Sequence, residues 1–428
     1  MTIAKLYALF QKSTGVFTDT RHPIHNGIFF GLRGPNFNGN VYARKALASG
    51  AIAAVVDDHQ IAEENPKCIL VENSLKSLQE LAQYHRRRLN TTIIGLTGSN
   101  GKTTTKELIH AVLSQKYTTQ ATAGNLNNHI GVPLTLLKIS QACEIAVVEM
   151  GANHQGEIKE LARISEPDIG YITNFGYAHI EGFGSLEGVV KGKSELYDNL
   201  KQRNKKIVIH GDDPKQLALM EDYPFVSFGT APSNTTIVTY HTAPQQPVAV
   251  SANGHQYTSN LHGNYNAANI GVAIAFGQLF NLEPEQIAAG IASYIPNNQR
   301  SEWKSVKGNR VFLDAYNANP SSMKEALQSF AAHHPGSIVV LGDMYELGEI
   351  SQASHQEIAA LAVDKGFKKI VLVGKLFEGI ALNHTTILYA KDAMAVKDLW
   401  RKEQWKDEVI LIKGSRGMAL ENIISDEN

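Results

Sequence analysis

Apolar residues fall along the chain in two rhythms, and the changes between them divide it into three blocks. Up to Leu89, short runs such as Gly27-Ile28-Phe29-Phe30 and Ile52 to Val56 alternate with a helix-like stretch, Tyr42 to Ser49, closed by Gly50. Alternating α and β over that length suits one modest domain. The second block opens at Thr91-Thr92-Ile93-Ile94-Gly95-Leu96, a β-branched run. It passes through a glycine-rich turn into a helix whose Leu108, Ile109, Val112 and Leu113 share one face. The runs Ile145 to Met150, Ile169 to Thr173 and Ile207 to His210 read as buried parallel strands with helices between them. Phe225 to Leu261 differs: it has β-prone pieces, proline and an Asn253-Gly254 turn signal, and is expected to be a small β insertion. Two helices, about Asn266 to Phe280 and Pro284 to Tyr294, close the block.

The third block alternates cleanly. Strands are expected at Val311 to Leu313, Ile338 to Leu341, Ile370 to Val373, Thr386 to Tyr389 and Val409 to Ile412, with helices such as Ser322 to Ala332 and His355 to Lys365 between them. This is a doubly wound pattern, with ligands expected at the carboxyl ends of the strands. Length agrees with several units, because 428 residues exceed what one hydrophobic core usually serves. Composition is that of a globular chain, and a net charge of −1 gives no general pull toward nucleic acid or anionic membrane. Cys68 and Cys143 form no Cys-x-x-Cys pair, so neither a zinc site nor a disulfide framework is expected. No apolar run nears the ~20 residues that span a bilayer, and the start has no signal-peptide pattern. A cytoplasmic protein without a membrane span is the expectation.

The turn after Leu96 carries the first candidate chemistry. Thr97-Gly98-Ser99-Asn100-Gly101-Lys102-Thr103-Thr104 joins a strand to an amphipathic helix. Backbone N–H groups of such a turn bind phosphate oxygens, and the helix dipole adds to this. Lys102 would reach the outer phosphates and the Thr103 hydroxyl would bind Mg²⁺. The strict phosphate-loop pattern needs a glycine where Leu96 stands, and a turn that binds nothing is the plainer alternative. Strand, Gly98, Gly101, Lys-Thr and helix in that order favour the nucleotide. The expected fold class is therefore α/β in three domains: a small N-terminal α/β domain over 1–89, a central P-loop-type parallel-sheet domain with the β insertion over 90–299, and a C-terminal Rossmann-like domain over 300–428.

Two further residues stand out by position. Glu149 ends the apolar run Ala146-Val147-Val148, where a carboxylate can hold Mg²⁺; alone, a solvated strand-end acid is an equal reading. Lys193 lies on the apolar face of a helix spanning roughly Ser185 to Leu200, shared with Leu186, Val189, Val190, Leu196, Tyr197 and Leu200, while Lys191 points away. A buried ammonium needs a partner, a shifted pKa or a chemical change. Helical phase alone favours a stem that packs while the head reaches water. Beside His179 and Glu149, in a chain with a nucleotide loop, an active-site role becomes the better reading.

Taken together these segments resemble the Mur ligase family of bacterial peptidoglycan synthesis, along nearly the whole chain. The family's loop, Thr-Gly-[Ser/Thr]-x-Gly-Lys-[Ser/Thr], is matched by Thr97 to Thr103, which accounts for the missing earlier glycine. More specific are Gly124-Asn125-Leu126-Asn127-Asn128-His129-Ile130-Gly131-Val132-Pro133, Glu149-Met150-Gly151-Ala152, Tyr316-Asn317-Ala318-Asn319-Pro320, Leu341-Gly342-Asp343-Met344 with Glu346-Leu347-Gly348, and Lys413-Gly414-Ser415-Arg416. These runs resemble the branch that joins D-alanyl-D-alanine to a UDP-N-acetylmuramoyl-tripeptide.

The resemblance implies roles. Gly98 to Thr104 would hold ATP, with Lys102 and Thr103 at its phosphates. Thr103, Glu149 and His179 would be metal ligands for two Mg²⁺ ions, and Lys193 would complete them as a carbamate. Lys102, His179 and Lys193 would be the catalytic group. Asn266 and Asn269 would lie near the adenine, Arg300 and Asp314 near phosphate and ribose. Thr20, Arg21 and Phe30 would meet the UDP part, and Tyr316, Asn317 and Asn319 would serve the dipeptide or domain closure. The implied partners are the UDP-linked tripeptide and the dipeptide, handled by a monomer without nucleic acid. Departures from the pattern, Asp19-Thr20-Arg21, Asn38-Gly39-Asn40, Gln299-Arg300 and Leu313-Asp314-Ala315, fall on the uridine side and the interdomain arm. Alternatives are a sibling ligase or folate polyglutamylating enzyme, a non-catalytic nucleotide-binding scaffold and a nucleic-acid-dependent ATPase. Amine competition, turnover and nucleic-acid stimulation would separate them.

Overall fold

The computed structural model describes residues 1–243, 246–296 and 299–425. The continuous apolar runs became the interior strands of three sheets. The N-terminal sheet holds Val16–Phe17, Ile28–Phe30, Ala53–Val56 and Cys68–Leu70 in that order, all parallel. The helix Ser74–Arg86 leaves this sheet and packs on helices Gly131–Lys138 and Glu157–Ser165 of the central unit. One apolar core therefore runs from Leu6 and Phe30 through Val132 to Leu196. Arg86 fastens the joint: its guanidinium donates to Ser165 O at 3.0 Å, Thr91 O at 3.3 Å and Asp168 Oδ2 at 2.6 Å. Charge-assisted bonds of this kind are the strong ones in a buried setting.

The central sheet has nine strands. Thr92–Thr97 lies between Ile145–Glu149 and Ile169–Ile172, all parallel, with Thr119–Ala121 on one edge and Lys206–His210 continuing the other way. Alternation along Thr92–Thr97 sends Ile93 to one core and Ile94 and Leu96 to the other, so both faces are covered. The stretch expected as a small β insertion does not stand apart. Val226–Gly229 and Thr236–His241 join the sheet in parallel, and Ala249–Ala252 and His255–Thr258 finish it as antiparallel strands. Helices Asn266–Leu279 and Pro284–Ser293 then pack against Lys102–Leu113.

The C-terminal sheet runs Glu302–Val306, Asn309–Asp314, Val409–Lys413, Ile338–Gly342, Lys369–Val373 and Ile387–Ala390, parallel after its first pair. Helices Pro320–His333 and Ser351–Asp364 share a core on one face, and Ala393–Lys402 lies on the other. Pro320 sits in the first turn of its helix behind an Asn319 cap, where a missing N–H costs nothing. The carboxyl ends of Asn309–Asp314 and Val409–Lys413 point at the central unit, and this end carries the site. Among the described residues no helix is long and apolar enough to cross a membrane.

Candidate active site

The glycine turn after Thr97 is held by its neighbour strand. Asn174 accepts from Ser99 N through its carbonyl and from Asn100 N through its side chain, both at 3.0 Å, while Thr173 Oγ1 donates to Asn100 O at 2.6 Å. Gly98 has φ +145°, and a Cβ there would lie 1.9 Å from Thr173 Oγ1, so only glycine fits. Gly101, at φ +77°, starts the helix Lys102–Leu113 with no side-chain cap. By contrast Ser185, Asn319 and Asp392 each cap their helices through a side-chain oxygen. The first N–H groups of Lys102–Leu113 are thus left for an external anion.

Lys102 folds back on the turn, its Nζ donating to Gly98 O at 2.7 Å and Ser99 O at 3.2 Å. Burial pushes its pKa below the ordinary lysine value, with Glu149 opposing and Arg300 assisting. Glu149 is 2% exposed; its carboxylate accepts from Thr103 Oγ1 at 3.1 Å and Asn127 Nδ2 at 2.8 Å. A buried carboxylate met by neutral donors beside a threonine hydroxyl is a hard-oxygen donor set of the kind Mg²⁺ takes. Among the described residues no cluster of three or more His, Cys, Asp or Glu stands ready for a metal.

Lys193 is wholly buried on the helix Leu186–Gln202, whereas Lys191 is exposed. Its head does not reach water, contrary to what helical phase alone favours. Nζ donates to Ala152 O at 3.1 Å and stands 5.0 Å from the centre of the Phe183 ring. Burial, reinforced by Lys102, drives its pKa well below the ordinary value against Glu157 and Glu195. His179 has φ +54°, and its Nδ1 contacts the Glu346 carboxylate from the C-terminal unit. Burial and then Lys102 lower its pKa, Lys193 adds to this, and Glu346 opposes them. Three amines and imidazoles thus share a region whose field favours their uncharged forms or an anion among them.

A cavity of about 700 Å³ opens between the units, lined by Ser99 to Thr104, Glu149, His179, Asn266, Asn269, Arg300, Asp314, Tyr316, Asn317 and Asn319. Its size is that of a small-molecule site. Asn269 donates to Asn266 Oδ1 at 3.0 Å and accepts from Thr105 Oγ1 at 2.9 Å, which ties the helix Asn266–Leu279 to the helix Lys102–Leu113. The Arg300 guanidinium lies 3.6 Å over the Tyr316 ring. Asn319 Nδ2 donates to Asn100 Oδ1 at 2.7 Å, directly across the units. Gly98 and Lys193 do not line this cavity. Thr20, Arg21 and Phe30 lie away from it in the N-terminal unit. Arg21 is exposed and pairs with Asp19, while Phe30 is 0% exposed and packed in the core. The Phe30 ring therefore supports that unit and offers no face to a ligand.

Other residues, given no site role from the sequence, line or complete the site, although Asn127 and Lys413 stand in the runs that carry the family resemblance. Asn127 holds Glu149, and Lys413 pairs with Asp314 at the adjoining strand end. Glu325 also lines the cavity, and burial raises its pKa against the pull of Lys413. A lysine ending the apolar strand Val409–Lys413 was the available signal, equivalent to the one that exposed Glu149. Asn127, on an irregular turn, has no periodicity to mark it. On the uridine side, Asn40 is buried, donates to Asp57 Oδ1 at 2.8 Å and accepts from Asp57 N at 2.9 Å; the departure there makes an internal brace.

Comparison with known proteins agrees with this arrangement. Residues 96–277 match the Mur ligase middle domain and residues 299–416 the Mur ligase, glutamate ligase domain. The chain is 37% identical to the UDP-N-acetylmuramoyl-tripeptide–D-alanyl-D-alanine ligase of Bacillus subtilis (strain 168), over 96% of this chain and 92% of that one. It is 32% identical to the enzyme of the same name from Escherichia coli (strain K12), with the same coverage. Among solved structures, MurF from Acinetobacter baumannii superposes with a TM-score of 0.87 at 28% identity, covering 99% of this chain and 98% of that one. The MurF ligase of Thermotoga maritima in complex with ADP gives 0.84 at 25% identity, covering 97% and 96%. With this identity along almost its entire length and both family domains in place, the chain belongs to the Mur ligase family.

Proposed function

We propose that this chain is the ATP-dependent ligase that joins D-alanyl-D-alanine to UDP-N-acetylmuramoyl-tripeptide in peptidoglycan precursor synthesis. The observation that carries the reading is one cavity between two units, lined by an uncapped phosphate turn, the Thr103–Glu149 pair, Arg300 and the strand-end Asp314. The relatives named for this reaction, similar over nearly the full chain, support the choice of substrates. We take the three units as 1–89 for the UDP-linked substrate, 90–299 for ATP and 300–428 for closure. Thr20 and Arg21 are the candidates at the UDP part, with Phe30 behind them. Dependence on ATP assigns the reaction to the cytoplasm, and a single chain carries all three units.

A carboxylate is a poor electrophile and must be activated. The terminal carboxylate of the tripeptide attacks the γ-phosphorus of ATP, ADP leaves, and an acyl phosphate forms. The dipeptide amine then attacks the acyl carbon, phosphate departs, and the amine loses a proton. Two anions must meet, so positive charge dominates the first step. Lys102 swings from its own turn to the outer phosphates, and Arg300 meets them from the other side. Asn266 and Asn269 position the adenine end and Asp314 the ribose. Thr103 and Glu149 would hold one Mg²⁺, with His179 at a second; the ions supply charge neutralisation on the phosphates when bound. Tyr316, Asn317 and Asn319 close the cavity and shield the acyl phosphate from water.

Lys193 is assigned a carbamate. Its neutral amine adds to CO₂ and releases one proton, turning a buried base into an anionic oxygen ligand. Its complete burial, low pKa and single carbonyl partner support this. The test of the whole reading is turnover. Purified protein with ATP, Mg²⁺ and UDP-muramoyl-tripeptide should release ADP and phosphate on adding D-alanyl-D-alanine and form the extended UDP-linked peptide. No ADP release on adding the dipeptide would defeat it.

A further inference from the structure

The contact between His179 and Glu346 has an unusual setting. Both residues lie in the left-handed region, with φ +54° and +61°, where residues other than glycine are uncommon. They come from different units, and Glu346 makes two contacts across the joint. The Glu346 carboxylate contacts His179 Nδ1, and the Glu346 carbonyl accepts from Glu181 N at 3.1 Å. A carboxylate only accepts, so Nδ1 must carry the ring proton. The lone pair is then confined to Nε2, on a residue that lines the cavity. The neighbouring bridge between the same units, Tyr177 N to Ser321 Oγ at 2.9 Å, touches no ring.

We infer that Glu346 is a positioning residue for His179: docking of the C-terminal unit sets which imidazole nitrogen is presented to the reaction cavity. The geometry makes this economical. Without Glu346, a neutral imidazole is free to carry its proton on either nitrogen and to rotate. With it, tautomer and ring plane are fixed from outside the central unit. A carboxylate behind a ligating histidine is a recurrent arrangement, and its loss typically costs 10–100-fold in affinity or activity. Here that carboxylate arrives on another unit, so the cavity is chemically complete only when the two units meet. This inference rests on the ligase reading given above.

The experiment uses the full chain with ¹⁵N-labelled histidine and no metal or nucleotide, comparing wild type, Glu346→Ala, Glu346→Gln and Ser321→Ala, with His179→Gln to assign the ring signal. Wild type should show His179 protonated at Nδ1 alone, and Glu346→Ala a mixture of tautomers. In turnover, Glu346→Ala should lose about 10–100-fold in kcat with KM values within about threefold. Glu346→Gln, which keeps a carbonyl acceptor and the side-chain volume, should recover part of that loss; it carries the comparison if the alanine variant does not fold. Ser321→Ala should stay within about twofold of wild type, as expected for loss of one exposed neutral hydrogen bond. A wild-type ring spectrum in the Glu346 variant that folds, or equal kcat losses in Glu346→Ala and Ser321→Ala, overturns the inference. The ring spectrum needs no turnover, so it judges this inference even if ligation itself is not observed.

Discussion

Replacing Lys193 separates its chemical role from its packing. The side chain is fully buried and its amine meets one carbonyl, so two substitutions should diverge. Lys193→Met keeps the volume and removes a polar head from an apolar setting, which is neutral or stabilising by about 1–2 kcal/mol. Lys193→Ala leaves a cavity and should cost about 2–4 kcal/mol. The gap between them, about 2–6 kcal/mol, measures packing alone. Both should lose at least about 100-fold in kcat, because both remove the atom that takes up CO₂; that is about 2.7 kcal/mol in the barrier. Urea unfolding and ADP release give the two quantities. The pH dependence has a definite sign. Folded Lys193 binds its proton more weakly than an unfolded lysine does, so below about pH 10.4 the unfolded chain holds more protons. Its contribution therefore rises with pH up to that value, and Lys193→Met should flatten this slope. Wild-type turnover should fall in CO₂-free buffer and return with bicarbonate. Wild-type kcat in Lys193→Met would refute the chemical role, and equal destabilisation by Met and Ala would refute the packing argument.

Gly98→Ala forces a Cβ to within 1.9 Å of Thr173 Oγ1 at φ +145°, so ATP affinity measured by calorimetry should fall by at least about tenfold, about 1.4 kcal/mol. Asp168→Asn strips the carboxylate shared by Arg86 and Lys205 and should cost about 3 kcal/mol in urea. Burial alone would raise the Asp168 pKa, but Lys205, the Ile93 N–H and Arg86 outweigh it and hold it low. Stability from this group is therefore present above about pH 4 and lost as acid protonates it, a loss the asparagine variant should not show. Asp314→Asn leaves Lys413 without its anionic partner and should raise the KM for ATP by about tenfold while lowering stability by about 3 kcal/mol.

Much of the framework could be read from apolar runs, because buried parallel strands are continuous and their ends face a ligand. Glu149 and the phosphate turn were visible for that reason, and Lys193 because helical phase placed a charge on an apolar face. Residues 225–261 misled because polar alternation marks a half-exposed strand without saying which sheet it joins. Phe30 was read as a ligand contact, yet a run of three apolar residues does not tell which ring faces outward. Pairs such as Asn100 with Asn319, and His179 with Glu346, depend on docking between units, and separations of 219 and 167 residues leave no local trace.

The antiparallel end of the central sheet has a practical consequence. No described residue from 206 to 258 borders the reaction cavity, and the turn at Asn253 and Gly254 stands exposed with both residues at positive φ. That corner is a handle on the molecule: a fluorophore, an affinity tag or a tether could be spliced there to report on unit movements while the chemistry proceeds undisturbed.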